Sequence, residues 1–351
     1  MEQKELIKNI ESLPLFFIIG RPRSGTTLLK TLFDAHPNVN IPIECPVFMA
    51  LYNQYGETKY WSKKILSLFY NDLLKLKRFD FWRIDLEKLK SDILACEGEN
   101  SYETICKVVH YNNNSIFDKQ EIKIIGDKNP KYSSYTKNLI AVFPNAKFIH
   151  IIRDYRAHFL SMRNAGFPKA IVSLSSYLWM DSARKMDRLK NKYPNKIYSL
   201  RYEDLVSEPE FYIKQMAAFL EIEHVPEVIE YYKKRDEFEK IFTKEYLKKY
   251  FESLLSPINT SRIDIWRDKL TEREIRIADA MVGSVAEKQG YNRVYKRTGL
   301  KSCLHVLPRK LFFILYYKYR GFINILPQKL RLFLRKKTPP VVGLYLRIFK
   351  N

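Results

Sequence analysis

Leu15-Phe16-Phe17-Ile18-Ile19 is an unbroken apolar run closed by Gly20, the pattern of a strand buried on both faces of a parallel sheet. A helix is predicted from Gly25 to about Ala35, ending before His36-Pro37. Three further runs of the same kind predict strands over Ile122–Gly126, Lys147–Ile152 and Lys196–Leu200. Helical periodicity covers roughly 62–76, 101–112, 131–143, 154–164 and 170–191, then dominates again over 209–251 and 271–289. Buried-type strands alternating with helices predict an α/β fold, a parallel sheet flanked by helices on both faces. Nothing repeats and no low-complexity linker divides the body, so residues 1–295 are expected to form one domain.

Charge changes the picture at one end. The 351 residues carry a formal net charge of +22, of which 14 positive charges lie between Lys296 and Asn351, where there is no Asp or Glu. The other 295 residues therefore hold the remaining +8. A mildly basic body suits an anionic small molecule and does not require nucleic acid. Cys45, Cys96, Cys106 and Cys303 show no C-x-x-C spacing, which argues against a zinc site or a disulfide framework and fits a reducing compartment. The apolar run at Leu13–Ile19 is short, contains Pro14 and lacks the flanks of a signal peptide. No stretch reaches the roughly 18–20 apolar residues that span a bilayer. A cytoplasmic protein is expected.

The first strand leads into Gly20-Arg21-Pro22-Arg23-Ser24-Gly25-Thr26-Thr27. A strand, a glycine-containing loop and a helix start bring backbone N–H groups and the positive end of the helix dipole to one point. The loop nearly satisfies the Walker A pattern G-x-x-x-x-G-K-[ST], but Thr26 stands where the lysine belongs. That lysine serves the β- and γ-phosphates of a triphosphate, so its absence argues against an ATPase or kinase. Arg23 offers a cation instead. The alternative is a plain strand-to-helix turn, which would leave two arginines and three hydroxyl residues at one strand end unexplained.

At this loop the chain resembles the sulfotransferases that use 3'-phosphoadenosine 5'-phosphosulfate (PAPS). It is most similar to the tyrosylprotein sulfotransferases and their bacterial relatives, through Phe16 to Leu29 and Asp34-Ala35-His36-Pro37. The resemblance implies a P-loop-type sulfotransferase fold, with Arg23, Ser24, Gly25, Thr26 and Thr27 on the 5'-phosphosulfate of PAPS. It also implies that Arg153, closing the strand Lys147–Ile152, holds the 3'-phosphate with Ser161 eight residues later. Leu200-Arg201-Tyr202-Glu203-Asp204-Leu205 matches a third family element and places Tyr202 by the nucleotide; a turn with an exposed tyrosine is the alternative. Pro257-Ile258-Asn259 with Trp266 resembles a late loop of the family, from which Arg262 could reach the 3'-phosphate. The scattered blocks cover about residues 14–292.

Sulfuryl transfer needs in-line positioning, stabilised charge on the leaving oxygens and removal of the acceptor proton. Lys128, in Gly126-Asp127-Lys128-Asn129-Pro130 after a strand, is placed to support the bridging or sulfuryl oxygens; otherwise it is a solvated loop lysine. The resemblance points to Glu44, the only acid between Asp34 and Glu57, as the base, with a salt bridge to Arg21 or Arg23 as the alternative. Two departures from the tyrosylprotein pattern, Ser256 and Ile43, fall on the acceptor side and put a tyrosyl-peptide substrate in doubt. His36, His150 and His158 are read as structural, and no His/Cys/acid cluster implies a metal.

In the tail 296–351, Pro308 and Pro327 bracket Arg309–Leu326, followed by Lys329–Lys337. Cations interleaved with bulky apolar residues suit a helical segment lying on an anionic membrane surface. The alternatives are packing on the body or on a second subunit, and nucleic acid, for which no recognition motif is present. The expected function is transfer of a sulfuryl group from PAPS to a hydroxyl of a glycan, lipid, sterol or other small molecule, without a metal. A P-loop kinase and a non-catalytic, membrane-associated nucleotide-binding protein are the alternatives. No motif in 45–115 or 165–190, where acceptor-facing segments are expected, separates sugar from sterol, and none sets the oligomeric state.

Overall fold

The computed structural model describes residues 2–130, 132, 136–167, 170–241, 243, 245, 247, 254–296, 300–326 and 328–349. The chain divides into two compact units, Met1–Arg153 with Met186–Thr260, and Asp154–Lys185 with Ser261–Asn351.

In the first unit the strands are β1 (Leu15–Gly20), β2 (Val39–Asn40), β3 (Tyr60–Trp61), β4 (Gly98–Glu99), β5 (Ile124–Lys128), β6 (Lys147–Ile152) and β7 (Ile197–Arg201). Five of them form one sheet in the order β2-β5-β1-β6-β7, parallel throughout, while β3 and β4 form a small antiparallel ladder. This is the α/β architecture that the apolar runs predict. All six residues of β1 are buried, as a central strand covered on both faces requires. Phe17 packs among Phe48, Tyr132, Phe143 and Phe148, and its neighbour Phe16 meets Phe33 of the helix Thr26–Asp34. Gly126 has no room for a side chain, since a Cβ there would lie 2.6 Å from the Phe16 ring.

β5 begins two residues later than its apolar run predicts and ends on Lys128. The ladder with β1 continues through the polar pair, matching Phe17 to Asp127 and Ile18 to Lys128. β2 has only two residues, too few for a periodic signal, and the helix Glu2–Ser12 was likewise not predicted. The helices expected over 209–251 include Pro209–Leu220, which ends on Glu221 in the left-handed region, the 3-10 segment Pro226–Lys234 and the helix Arg235–Ile241. Proline removes a backbone donor and cannot sit inside a continuing helix without cost. Residues 242, 244, 246 and 248–253 of that prediction lie outside the described residues. The C-terminal end of Thr26–Asp34 is held by Lys119, whose ammonium donates to the carbonyls of Asp34, His36 (3.1 Å) and Val39 (2.6 Å). It also pairs with the Asp34 carboxylate, which Lys30 and Lys119 hold below the usual carboxylate range against the effect of burial.

The second unit is helical. Arg156, on the helix Tyr155–Asn164, pairs with Asp154 at 2.7 Å and lies 3.8 Å over the Trp266 ring. Trp266 packs in turn on Ala157, Phe159 and Leu160. The tail forms helices Leu300–Ile325, Gln328–Lys337 and Val341–Ile348. Pro308 lies inside the first of these and does not mark its start as expected. Phe313 and Tyr317 pack on Tyr177, and the Tyr345 hydroxyl meets Ser173 Oγ at 2.9 Å. One side of the tail thus joins the core of its own unit.

Candidate active site

The carboxyl ends of β1, β5, β6 and β7 converge around the loop that follows β1, the usual ligand edge of an open parallel sheet. The loop leaves little slack. A Cβ on Gly20 would stand 2.7 Å from the Ile151 carbonyl oxygen. Arg23 adopts a left-handed backbone, φ 70°, a conformation that costs a non-glycine residue about 1–3 kcal/mol and gathers at ligand clamps. Gly25, φ 94°, caps the helix that begins at Thr26. A Cβ at Gly25 would fall 2.5 Å from Tyr202 Cδ2, so the tyrosine ring forms a wall of the loop.

Ser24 is 1% exposed, and its Oγ has no hydrogen-bond partner among the described residues. A buried hydroxyl with no bond is costly, and beside a helix N-terminus an anion would satisfy it. Thr26 is buried and Thr27 half-buried at the first turn of that helix. The donor set fits a phosphate or phosphosulfate group.

Arg153 follows β6 directly, with its guanidinium 4.5 Å over the Tyr202 ring and Nη1 donating to the Arg23 carbonyl at 3.3 Å. Tyr202 opens the short helix after β7 and is buried, not exposed on a turn. Its neighbour Arg201 pairs with Asp204 through Nε at 2.8 Å, which fixes the corner. Ser161 and Arg262 belong to the second unit. Ser161 is half-buried on the helix Tyr155–Asn164, and Arg262 is half-buried in the turn before Trp266.

Lys128 ends β5 and is only 3% exposed, so it is not a solvated loop lysine. Its Nζ lies 2.9 Å from Glu44 Oε2 and donates to Thr27 Oγ1 at 3.4 Å. The cation missing from the Walker position therefore arrives from the neighbouring strand. Glu44 Oε1 meets Arg78 Nη1 at 3.1 Å, and the carboxylate keeps 24% of its surface exposed. Glu44 thus pairs with both Lys128 and Arg78. Arg78 itself has a left-handed backbone, φ 75°, at the start of the turn Phe79–Phe81. Four residues after Arg78, Trp82 donates its indole N–H to the Ile43 carbonyl at 2.6 Å. One turn thus holds both the backbone and the carboxylate of the Ile43-Glu44 segment. Sequence reasoning missed Arg78: within Lys75-Leu76-Lys77-Arg78 it reads as one more surface cation.

Asp127, beside Lys128, is buried and accepts a hydrogen bond from the Tyr132 hydroxyl at 2.8 Å. Burial pushes its pKa up from 3.8 to about 7, against the lowering effect of that bond and of Lys128. Between these values the folded chain keeps a proton that the unfolded chain has released, so stability falls as pH rises across the window. Asp127→Asn keeps an acceptor for Tyr132 and removes the titration. Its melting temperature relative to wild type is expected to climb from pH 4 to pH 8; a flat difference would show that Asp127 does not titrate in this range.

His36 donates from Nε2 to the Glu223 carbonyl at 2.9 Å and accepts from the Asn38 N–H at 3.1 Å. His150 is buried in β6, with its pKa pushed down to about 4 by burial, and His158 is buried in the second unit. Among the described residues no group of three His, Cys, Asp or Glu side chains could hold a metal ion.

A parallel sheet with an anion loop, a lysine from the adjacent strand and a carboxylate on that lysine suits group transfer from an anionic donor. Residues 14–227 match the model of the sulfotransferase family, and the chain belongs to that family and is an enzyme of it. It is 25% identical over 293 residues to protein-tyrosine sulfotransferase 1 of Danio rerio, covering 80% of this chain and 73% of that one. It is 36% identical over 106 residues to the omega-hydroxy-beta-dihydromenaquinone-9 sulfotransferase Stf3 of Mycobacterium bovis, covering 25% of this chain and 26% of that one. The sulfotransferase domain of the Synechococcus PCC 7002 olefin synthase has the same fold, with a TM-score of 0.54 and 18% identity over 80% of this chain and 95% of that domain.

Proposed function

We propose that this sulfotransferase moves a sulfuryl group from PAPS to the hydroxyl of a glycan, lipid, sterol or other small molecule, with Glu44 as the base. The observation that carries the reading is Lys128 Nζ, which touches both Glu44 and Thr27 of the anion loop and so ties the proton acceptor to the donor site. The acceptor oxygen attacks sulfur, the bond from sulfur to the 5'-phosphate oxygen breaks, and the acceptor proton passes to Glu44. The products are a sulfate ester and adenosine 3',5'-bisphosphate. Arg23, the buried Ser24 hydroxyl, the N–H groups around Gly25, and Thr26 and Thr27 receive the 5'-phosphosulfate. Arg153, with Tyr202 beneath its guanidinium, takes the 3'-phosphate.

Lys128 has two tasks in this scheme. Before the donor binds it neutralises Glu44, and with the donor present it turns toward the sulfuryl oxygens, leaving the carboxylate for the acceptor. Arg78 keeps Glu44 in place meanwhile. Ile43 and Ser256, where the tyrosylprotein enzymes are expected to carry an acid and a lysine, favour an acceptor other than a tyrosyl peptide.

Calorimetric titration with adenosine 3',5'-bisphosphate and with ATP tests the donor. Tight binding of the bisphosphate and weak binding of ATP are expected, and the reverse order would overturn the reading. A broad panel of hydroxyl acceptors with labelled PAPS, read by mass spectrometry for added sulfate, identifies the acceptor class.

A further inference from the structure

The two faces of the helix Leu300–Ile325 differ. Val306, Phe313 and Ile323 are buried, with Phe313 against Tyr177 and stacked on Tyr345. Leu304, Leu307, Leu311, Leu315 and Phe322 are each more than half exposed. At 100° per residue these five side chains fall within an arc of about 80° along a helix roughly 39 Å long. The exposed stripe is apolar along its length except for Lys318, which lies on the same arc. The following helix, Gln328–Lys337, adds exposed Leu330 and Phe333 beside exposed Arg335, Lys336 and Lys337.

A contiguous apolar stripe facing water calls for a partner. The charges around it select the kind. From Lys296 to Asn351 there are 14 cations and no acid, so two copies meeting through this face would bring like charges together. An anionic lipid surface complements both features, because acyl chains receive the leucines and phosphates receive the cations. Among the described residues no helix is long and apolar enough to cross a membrane, which leaves a helix lying along the surface.

We propose that the face formed by Leu304, Leu307, Leu311, Leu315 and Phe322, extended by Leu330 and Phe333, docks in the plane of an anionic phospholipid membrane. Lys318 and Arg335-Lys336-Lys337 meet the phosphates there. The proposal goes beyond the catalytic reading and does not depend on it.

Sedimentation of the full chain with vesicles of phosphatidylcholine, alone or mixed with phosphatidylglycerol, provides the test. Binding to the anionic vesicles is expected to be about tenfold tighter or more, and to weaken with salt. The triple variant Leu307→Glu, Leu311→Glu, Leu315→Glu changes only exposed positions and is expected to lose at least about tenfold in vesicle affinity. Melting temperature shows that the variant folds, and bisphosphate titration reports the donor site separately. Equal vesicle binding by the variant, or binding indifferent to lipid charge, would overturn the proposal. So would a dimer in sedimentation velocity that the variant abolishes while neither protein binds vesicles.

Discussion

Glu44→Gln is expected to lower kcat by about 10²–10⁴-fold, the range for loss of a positioned general base, while affinity for adenosine 3',5'-bisphosphate changes little. Glutamine keeps the size of the side chain, and its single carbonyl oxygen can still accept from Lys128 or from Arg78, which now hold the two carboxylate oxygens at 2.9 and 3.1 Å. What it cannot do is take the acceptor proton. The split between turnover and donor binding separates a base from a structural ion pair. If Glu44 merely anchored Lys128, its removal would disturb the anion loop through the contact with Thr27, and bisphosphate affinity would fall with kcat. A variant turning over at the wild-type rate would remove Glu44 from the mechanism and leave the donor site standing.

The second large effect concerns the loop itself. Gly25→Val is expected to weaken bisphosphate binding by more than about 100-fold, through loss of several charge-assisted hydrogen bonds together. Two obstacles act at this position. The backbone is left-handed at φ 94°, which a β-branched residue adopts poorly, and the added Cβ would overlap Tyr202 Cδ2 at 2.5 Å. Either the tyrosine moves, taking with it the support under Arg153, or the loop opens. Calorimetry on the variant measures the loss, and a melting curve shows whether the sheet survives. Near-normal affinity in Gly25→Val would mean that the loop does not grip the donor through this turn.

Much of the fold could be read from period and punctuation. β1 is an unbroken apolar run and β6 is apolar but for Lys147 and His150, and burial on both faces leaves such runs few other places to go; β7 is broken by Ser199 and only partly buried. The errors share one cause. β5 extends through Asp127 and Lys128 because the neighbouring strand supplies ladder partners for a polar pair, and one sequence window holds no information about that neighbour. β2 is a two-residue strand defined only by pairing with β5. The helix Leu300–Ile325 runs through Pro308, a break expected from local chemistry but overridden by the buried face of Val306, Phe313 and Ile323.

The anion loop was legible for a different reason, since strand end, glycine, hydroxyls and helix start are contiguous in the chain and their convergence is a local property. By itself the sequence determined a parallel α/β body, the loop from Gly20 to Thr27, the missing Walker lysine and the acid-free tail. Only the tertiary structure decided that Lys128 brings a cation from the adjacent strand, that Arg78 and Lys128 grip Glu44 from two sides, and that Tyr202 closes on Gly25. Those contacts join residues 34 to 177 positions apart, and only the parallel sheet with the segments packed on it brings such distant positions within a few ångströms.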